Sequence, residues 1–207
     1  DEEEVTTVPL ELELLELELG LLELLGLLEL LALQLALELL ELMRSQMQPN
    51  VFAYSACISA CGAGGEWKKS VELHEEMISA GVEPSLISFN AVLEALPMSE
   101  LSIGRAVVNQ AMSYGHYRIW AAEGKLDLHL AEPGDTGACP AAVARALLYH
   151  TLMQYVEGTM EITDLTVVTG QGRGSGDGGP VLPAVTRAFL TEEMAPPLEV
   201  REVRENM

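Results

Sequence analysis

Basic residues are scarce in this chain: 11 Lys and Arg stand against 32 Asp and Glu in 207 residues, a net charge of −21. Lys and Arg normally neutralise phosphates and supply most of the non-specific affinity for nucleic acid. The balance therefore counts against tight, salt-sensitive binding to a nucleic-acid backbone, although it leaves room for local basic patches. The shortage is uneven. The first 43 residues hold 12 acids and no Lys or Arg, which leaves 20 acids against all 11 basic residues in the remainder. Cysteine is equally thin. Cys57, Cys61 and Cys139 are too few, and odd in number, for a disulfide framework, which fits a reducing compartment. Cys57 and Cys61 lie one helical turn apart and, with His74, suggest a metal site, but no fourth ligand stands at metal spacing. The favoured reading is small buried residues on a helix face. The chain starts with Asp and lacks an Arg-rich, acid-poor leader, so any targeting segment is expected to be absent or already removed.

What is abundant is leucine. With 49% hydrophobic residues the chain can bury a core as one or two domains. Residues 10–42 are almost entirely Leu and Glu, both good helix formers, so a Leu-rich helix that needs a partner surface is expected there. Glu16, Glu23, Gln34, Glu38 and Glu41 share one broad face at the helical period, whereas Glu29 and the alternating stretch 11–18 break it. Residues 1–34 are accordingly set apart as a low-complexity segment, helical or disordered, and a candidate docking element for a protein partner. A membrane span over 19–37 would bury Glu23 and Glu29 in hydrocarbon with no flanking Lys or Arg before it, so no span is expected.

From Arg44 the sequence changes to ordinary complexity with a helix–turn–helix rhythm. Val51 to Cys61 predicts a helix, Gly62-Ala63-Gly64-Gly65 a break, and Glu66 to Ala80 a second helix ended by Gly81 before Pro84. The pattern then returns. Leu86-Ile87-Ser88-Phe89-Asn90 lies thirty-five residues after Val51-Phe52-Ala53-Tyr54-Ser55, and Glu83-Pro84-Ser85 matches Gln48-Pro49-Asn50 at the same interval. A period of this length signals a helical solenoid, in which each unit buries its apolar face against its neighbours.

These segments, with Glu72-Leu73-His74-Glu75-Glu76-Met77 and Ala80-Gly81-Val82-Glu83-Pro84, resemble the pentatricopeptide repeat family. The resemblance gives a complete motif at 51–85, half a motif at 35–50, and a diverged one at 86–120 with Pro97 closing its first helix and Leu101 to Ser113 forming its second. It implies binding of single-stranded RNA, one base per repeat. Carried onto this chain, the base-facing residues would be Ser55 with Ser85 in the complete repeat and Asn90 in the next. Asn90 offers both donor and acceptor to a base edge, whereas the two hydroxyls discriminate less. The alternative is an exposed Ser and an Asn that merely cap a helix or turn.

Residues 121–207 read as a second module: a strand at 125–130, a helix at 139–156, a strand at 162–169, a helix near 179–194 and a strand at 198–204. The βαβαβ order predicts a small α/β sandwich. Leu126-Asp127-Leu128-His129 on the first strand and Thr169-Gly170-Gln171-Gly172-Arg173-Gly174-Ser175 after the second resemble the paired signature of the small MutS-related (Smr) domain. That family implies a nucleic-acid-binding and sometimes nucleic-acid-cutting surface, with a fold similar to the C-terminal domain of bacterial translation initiation factor three. Asp127 and His129 would be the catalytic acid/base or metal-organising pair. Gly170 and Gly172 would let the backbone approach a phosphate, Arg173 would pair with it and Ser175 would donate to it. Alternatively, Asp127 holds the glycine turn and His129 caps the strand edge. The chain departs from the family at Leu130, where a Gly is usual, and at Gly174, where a His is frequent. No metal ligand set is named, and a divalent ion is the one cofactor the cutting chemistry would use.

The expected architecture is thus α plus α/β, a repeat solenoid followed by a C-terminally truncated Smr-like sandwich. The two resemblances imply an RNA-binding protein of organelle gene expression, acting on single-stranded RNA with DNA as the alternative strand, and with endonuclease activity as a secondary claim. The rival is an interaction subunit that keeps both folds and has lost nucleic acid. Its motives are the acidic balance, the short array and the Leu–Glu helix.

Overall fold

The computed structural model describes residues 10–117, 120–122, 124–128, 139–159, 165–169, 181–194 and 199. The Leu–Glu segment forms one continuous helix, α1 (Leu10–Gln46), that crosses the boundary expected near residue 34. Leu and Glu lose little on entering a helix, which outweighs the cost of Gly20 and Gly26, about 1 kcal/mol each relative to Ala. The helix stops before Pro49, with Arg44 in its last turn where a cation complements the helix dipole.

Two helix pairs follow: α2 (Val51–Ala63) with α3 (Trp67–Ser79), then α4 (Leu86–Ala95) with α5 (Leu101–Ser113). The thirty-five-residue period is visible in their caps. Asn50 Oδ1 accepts from Ala53 N–H at 3.0 Å to start α2, and Ser85 forms a reciprocal capping box with Ser88 to start α4. Gly81 and Gly115 end α3 and α5 at φ of +76° and +87°, a left-handed conformation that a Cβ would oppose. In both places the next N–H returns to a carbonyl of the last turn, Val82 to Met77 and His116 to Ala111, each at 3.0 Å. Pro97 ends α4 by forcing Leu96 into extended backbone at ψ 130°.

Among the described residues, three short strands form a sheet in the order β1 (Trp120–Ala122), β2 (Lys125–Asp127), β3 (Thr166–Val168). β1, which the sequence pattern did not reveal, pairs antiparallel with β2. β2 and β3 pair in parallel, with α6 (Ala141–Val156) between them in the chain. The last described helix, α7 (Val181–Ala188), runs into a π-helical turn at Phe189–Glu193. Both regular strands are shorter than the sequence suggested, and the strand expected at 198–204 falls outside the described residues apart from Glu199. What the described residues show of the expected sandwich is thus a β2–α6–β3 unit with α7, plus the extra β1.

A single apolar core runs from Leu33 and Leu40 of α1 through Ile58, Met77, Phe89 and Val108 to Leu126, Leu147, Leu148 and Phe189. The repeats and the second module therefore share one interior. α6 packs on α4 and α5, with Ala146 lying 3.7 Å from where a Cβ on Gly104 would stand. A two-pronged ion pair between Arg105 and Glu157 fastens the same contact at its rim, at 2.6 and 2.5 Å. That pair holds the Glu157 carboxyl below the usual carboxylate range.

Candidate nucleic-acid interface

In the solenoid, Ser55 and Asn90 fall at equivalent places on α2 and α4, Ser85 caps α4, and the structure treats the three differently. Ser55 is 8% exposed, and its hydroxyl has no hydrogen-bond partner among the described residues. Ser85 is half-buried, and its Oγ accepts the Ser88 N–H at 3.3 Å as the α4 cap. Asn90 is half-buried too, and its Oδ1 accepts from the Tyr117 hydroxyl at 2.5 Å, leaving its NH₂ to donate elsewhere. The expected capping role is therefore realised at Ser85, while Asn90 keeps free polar capacity.

Tyr117 joins the two parts of the molecule at this point. It is buried, which pushes its phenol well above the usual range, and it sits at φ +54°, uncommon for a residue with a Cβ. Its hydroxyl fixes Asn90 on α4, and its own backbone lies three residues before β1.

Two residues that sequence reasoning passed over stand beside these positions. Phe52 is 76% exposed and Ile87 is 66% exposed, each the second residue of the first helix in its repeat, thirty-five residues apart. Each lies three residues before the polar position, Ser55 or Asn90, and so on the same helix face. The signal that could have found them is the repeat itself: a large apolar side chain in the same register of both units. Their neighbours Tyr54 and Phe89 turn inward and are fully buried. Phe89 packs edge-on against His74 at 4.8 Å and tilted against Tyr114 and His116.

Cations near these helices are engaged. Arg44 pairs with Glu41 and Glu76, Lys69 with Glu72 at 3.1 Å, and Lys68 lies over the Trp67 ring at 5.5 Å. Tyr54 completes the Arg44 cluster by donating to Glu76 at 2.9 Å. Cys57 and Cys61 are buried on α2; burial raises both thiols, Cys61 to about 11, and Cys57 Sγ donates to the Ala36 carbonyl.

In the second module Asp127 is half-buried on β2 between the fully buried Leu126 and Leu128, so the alternation expected from sequence is present. It stands opposite Val168 in the parallel register, and Leu128 N–H donates to Val168 O at 3.0 Å. Parallel strands in register leave the sheet at the same end, so the chain runs on from Asp127 and from Val168 at one edge. His129, Gly170, Gly172, Arg173 and Ser175 all lie outside the described residues. Asp127 is the one proposed catalytic residue with a described position.

Comparison with known proteins falls on the solenoid. Residues 38–97 match the pentatricopeptide repeat domain family, from the packed end of α1 through α4. A stretch of 51 residues is 35% identical to a chloroplastic pentatricopeptide repeat-containing protein of Arabidopsis thaliana, covering 25% of this chain. The match spans about 7% of that protein's length. The segment 38–97 is thus similar to pentatricopeptide repeats.

Proposed function

We propose that this chain binds single-stranded RNA in an organelle, with bases held over the exposed positions of α2 and α4. The observation that carries the reading is the recurrence of Phe52 and Ile87 as exposed apolar side chains in the same register of successive repeats. Burying them against nucleobases removes apolar surface from water, and stacking on an aromatic ring contributes about 1–3 kcal/mol per base. Asn90, oriented by Tyr117, reads a base edge in the second repeat, and Ser85 lies at the junction between the repeats. The organelle assignment rests on the repeat similarity and on the chloroplastic relative.

Because the repeat cations are already paired, affinity comes from stacking more than from phosphate contacts. Fluorescence anisotropy with labelled single-stranded RNA should show Phe52→Ala weakening binding about 5- to 100-fold. The log–log slope of affinity against salt should be shallower than about −2, which corresponds to fewer than about three neutralised phosphates. Equal affinity for Phe52→Ala and the parent chain would remove the base-stacking reading.

The parallel β2–β3 register supports a second, finer reading in which an Smr-like surface touches the RNA backbone. Asp127 and His129 would then serve as acid/base or metal-organising groups, and Gly170, Gly172, Arg173 and Ser175 would cradle a phosphate. Arg173→Glu should weaken RNA binding, and Asp127→Asn should abolish any magnesium-dependent cleavage while the fold survives. Cleavage unchanged in Asp127→Asn would assign the cut elsewhere. The rival reading, a protein scaffold, draws on the paired cations and the bare leucines of α1. It predicts no RNA binding in the same titration.

A further inference from the structure

From Leu14 to Leu35, α1 carries an unusual surface. Leu14, Leu17, Leu21, Leu24, Leu28, Leu31 and Leu35 alternate at spacings of three and four, and each is between 54% and 65% exposed. This is an unbroken heptad seam over three repeats, which Glu38 ends at the next position of the series. It is distinct from the face that packs on α2. Leu33, Ala36, Leu37 and Leu40 make that contact and lie on the opposite side of the helix.

We infer that this seam pairs with the same seam of a second copy, forming a left-handed coiled coil that makes the protein a homo-oligomer. Charge placement favours self-pairing. Glu16, Glu23 and Glu29 fall away from the seam, and between Leu14 and Leu35 the flanking positions hold one charged residue, Glu18, alongside Gly20, Leu25, Leu27, Ala32 and Gln34. Two identical acidic helices can therefore meet here with almost no like-charge contact. The area is sufficient as well. Seven leucines at roughly 100 Å² each bring on the order of 700 Å² per partner, close to the ~800 Å² of a stable interface. The helix is also long and apolar enough, by length and composition, to cross a membrane. However, Glu23 and Glu29 lie within the stretch that would occupy the hydrocarbon, where carboxylates are costly, whereas a coiled coil leaves them in water.

Sedimentation velocity on the full chain tests this, because the exposed positions can be changed without touching the core. The parent should sediment as a multiple of its 22.4 kDa mass at micromolar concentration. Leu21→Glu with Leu28→Glu, both on the seam, should weaken association at least ~100-fold, while Leu22→Glu with Leu30→Glu, off the seam, should leave it within a few-fold. Far-UV circular dichroism checks that both variants keep their helices. A monomeric parent at about 100 µM would overturn the inference, and so would equal loss by both variants. Flotation of the parent with phosphatidylcholine vesicles in place of self-association would assign the seam to a membrane and overturn it too.

Discussion

The two halves of α1 have nearly the same composition and opposite fates. In the C-terminal half, Leu40 is 1% exposed and takes part in the common core; in the N-terminal half, Leu28 is 54% exposed and touches nothing comparable. Both halves are helical because Leu and Glu favour helix wherever they stand. Only one is tertiary structure in the sense of being held by packing. The repeat similarity draws its line in nearly the same place, since it begins at residue 38. The difference teaches that leucine content predicts a helix here but not a core. What distinguishes the halves is whether α2 lies alongside.

The sharpest way to break the comparison is to truncate one leucine in each half. Leu40→Ala should destabilise the fold by about 2–5 kcal/mol, the range for cavities in well-packed cores, read as a lowered denaturant midpoint. If Leu40→Ala were as mild as a surface change, the packed half of α1 would not belong to the cooperative unit.

Acid should act on the packed side by a different route. His74 is buried on α3 beside Phe89, its Nε2 has no partner among the described residues, and burial lowers its pKa to about 4 from about 6.5. Between those values the unfolded chain binds a proton that the folded chain refuses, so stability should fall as pH drops from about 6.5 to 4. The His74 share of the loss is at most about 3 kcal/mol, and the pH dependence should be reduced by that share in His74→Leu measured over the same range. Burial lowers His150 in the same direction, so a smaller residual slope is expected in that variant.

Tyr54→Phe probes the link between the packed half of α1 and α3, because it removes the hydroxyl from Glu76 while the Arg44–Glu76 pair remains. A cost of about 1 kcal/mol is expected from the thermal or denaturant midpoint, typical of one net hydrogen bond. The smallest effect completes the comparison. Leu28→Ala should change the stability of the dilute protein by no more than about 0.5 kcal/mol, and a larger change would show that the N-terminal half packs on the fold after all.

Much of the solenoid was legible beforehand because its signals are local. The thirty-five-residue interval, Gly81 as a helix end and Pro97 as a stop all act within a few residues of where they stand. The site was less legible. Ser55, placed by its register, is buried, whereas Phe52 and Ile87 look like core residues in the sequence and face solvent. Hydrophobicity alone cannot tell an inward Tyr54 from an outward Phe52, since both sit in one apolar run and the decision is made by the neighbouring helix. β1 escaped notice for a related reason: Trp120–Ala122 has no alternation of its own and becomes a strand by pairing with β2.

The sequence by itself determined the helices, their ends and the repeat, because propensity, capping and glycine geometry are properties of short stretches. It also fixed the heptad of leucines on α1, which is a spacing and nothing more. Only the tertiary structure decided which leucines are covered, that Asn90 is tied to Tyr117, and that Asp127 and Val168 leave a parallel strand pair at the same end. Those outcomes depend on contacts between residues far apart in the chain, and burial is settled by what arrives from elsewhere to exclude water.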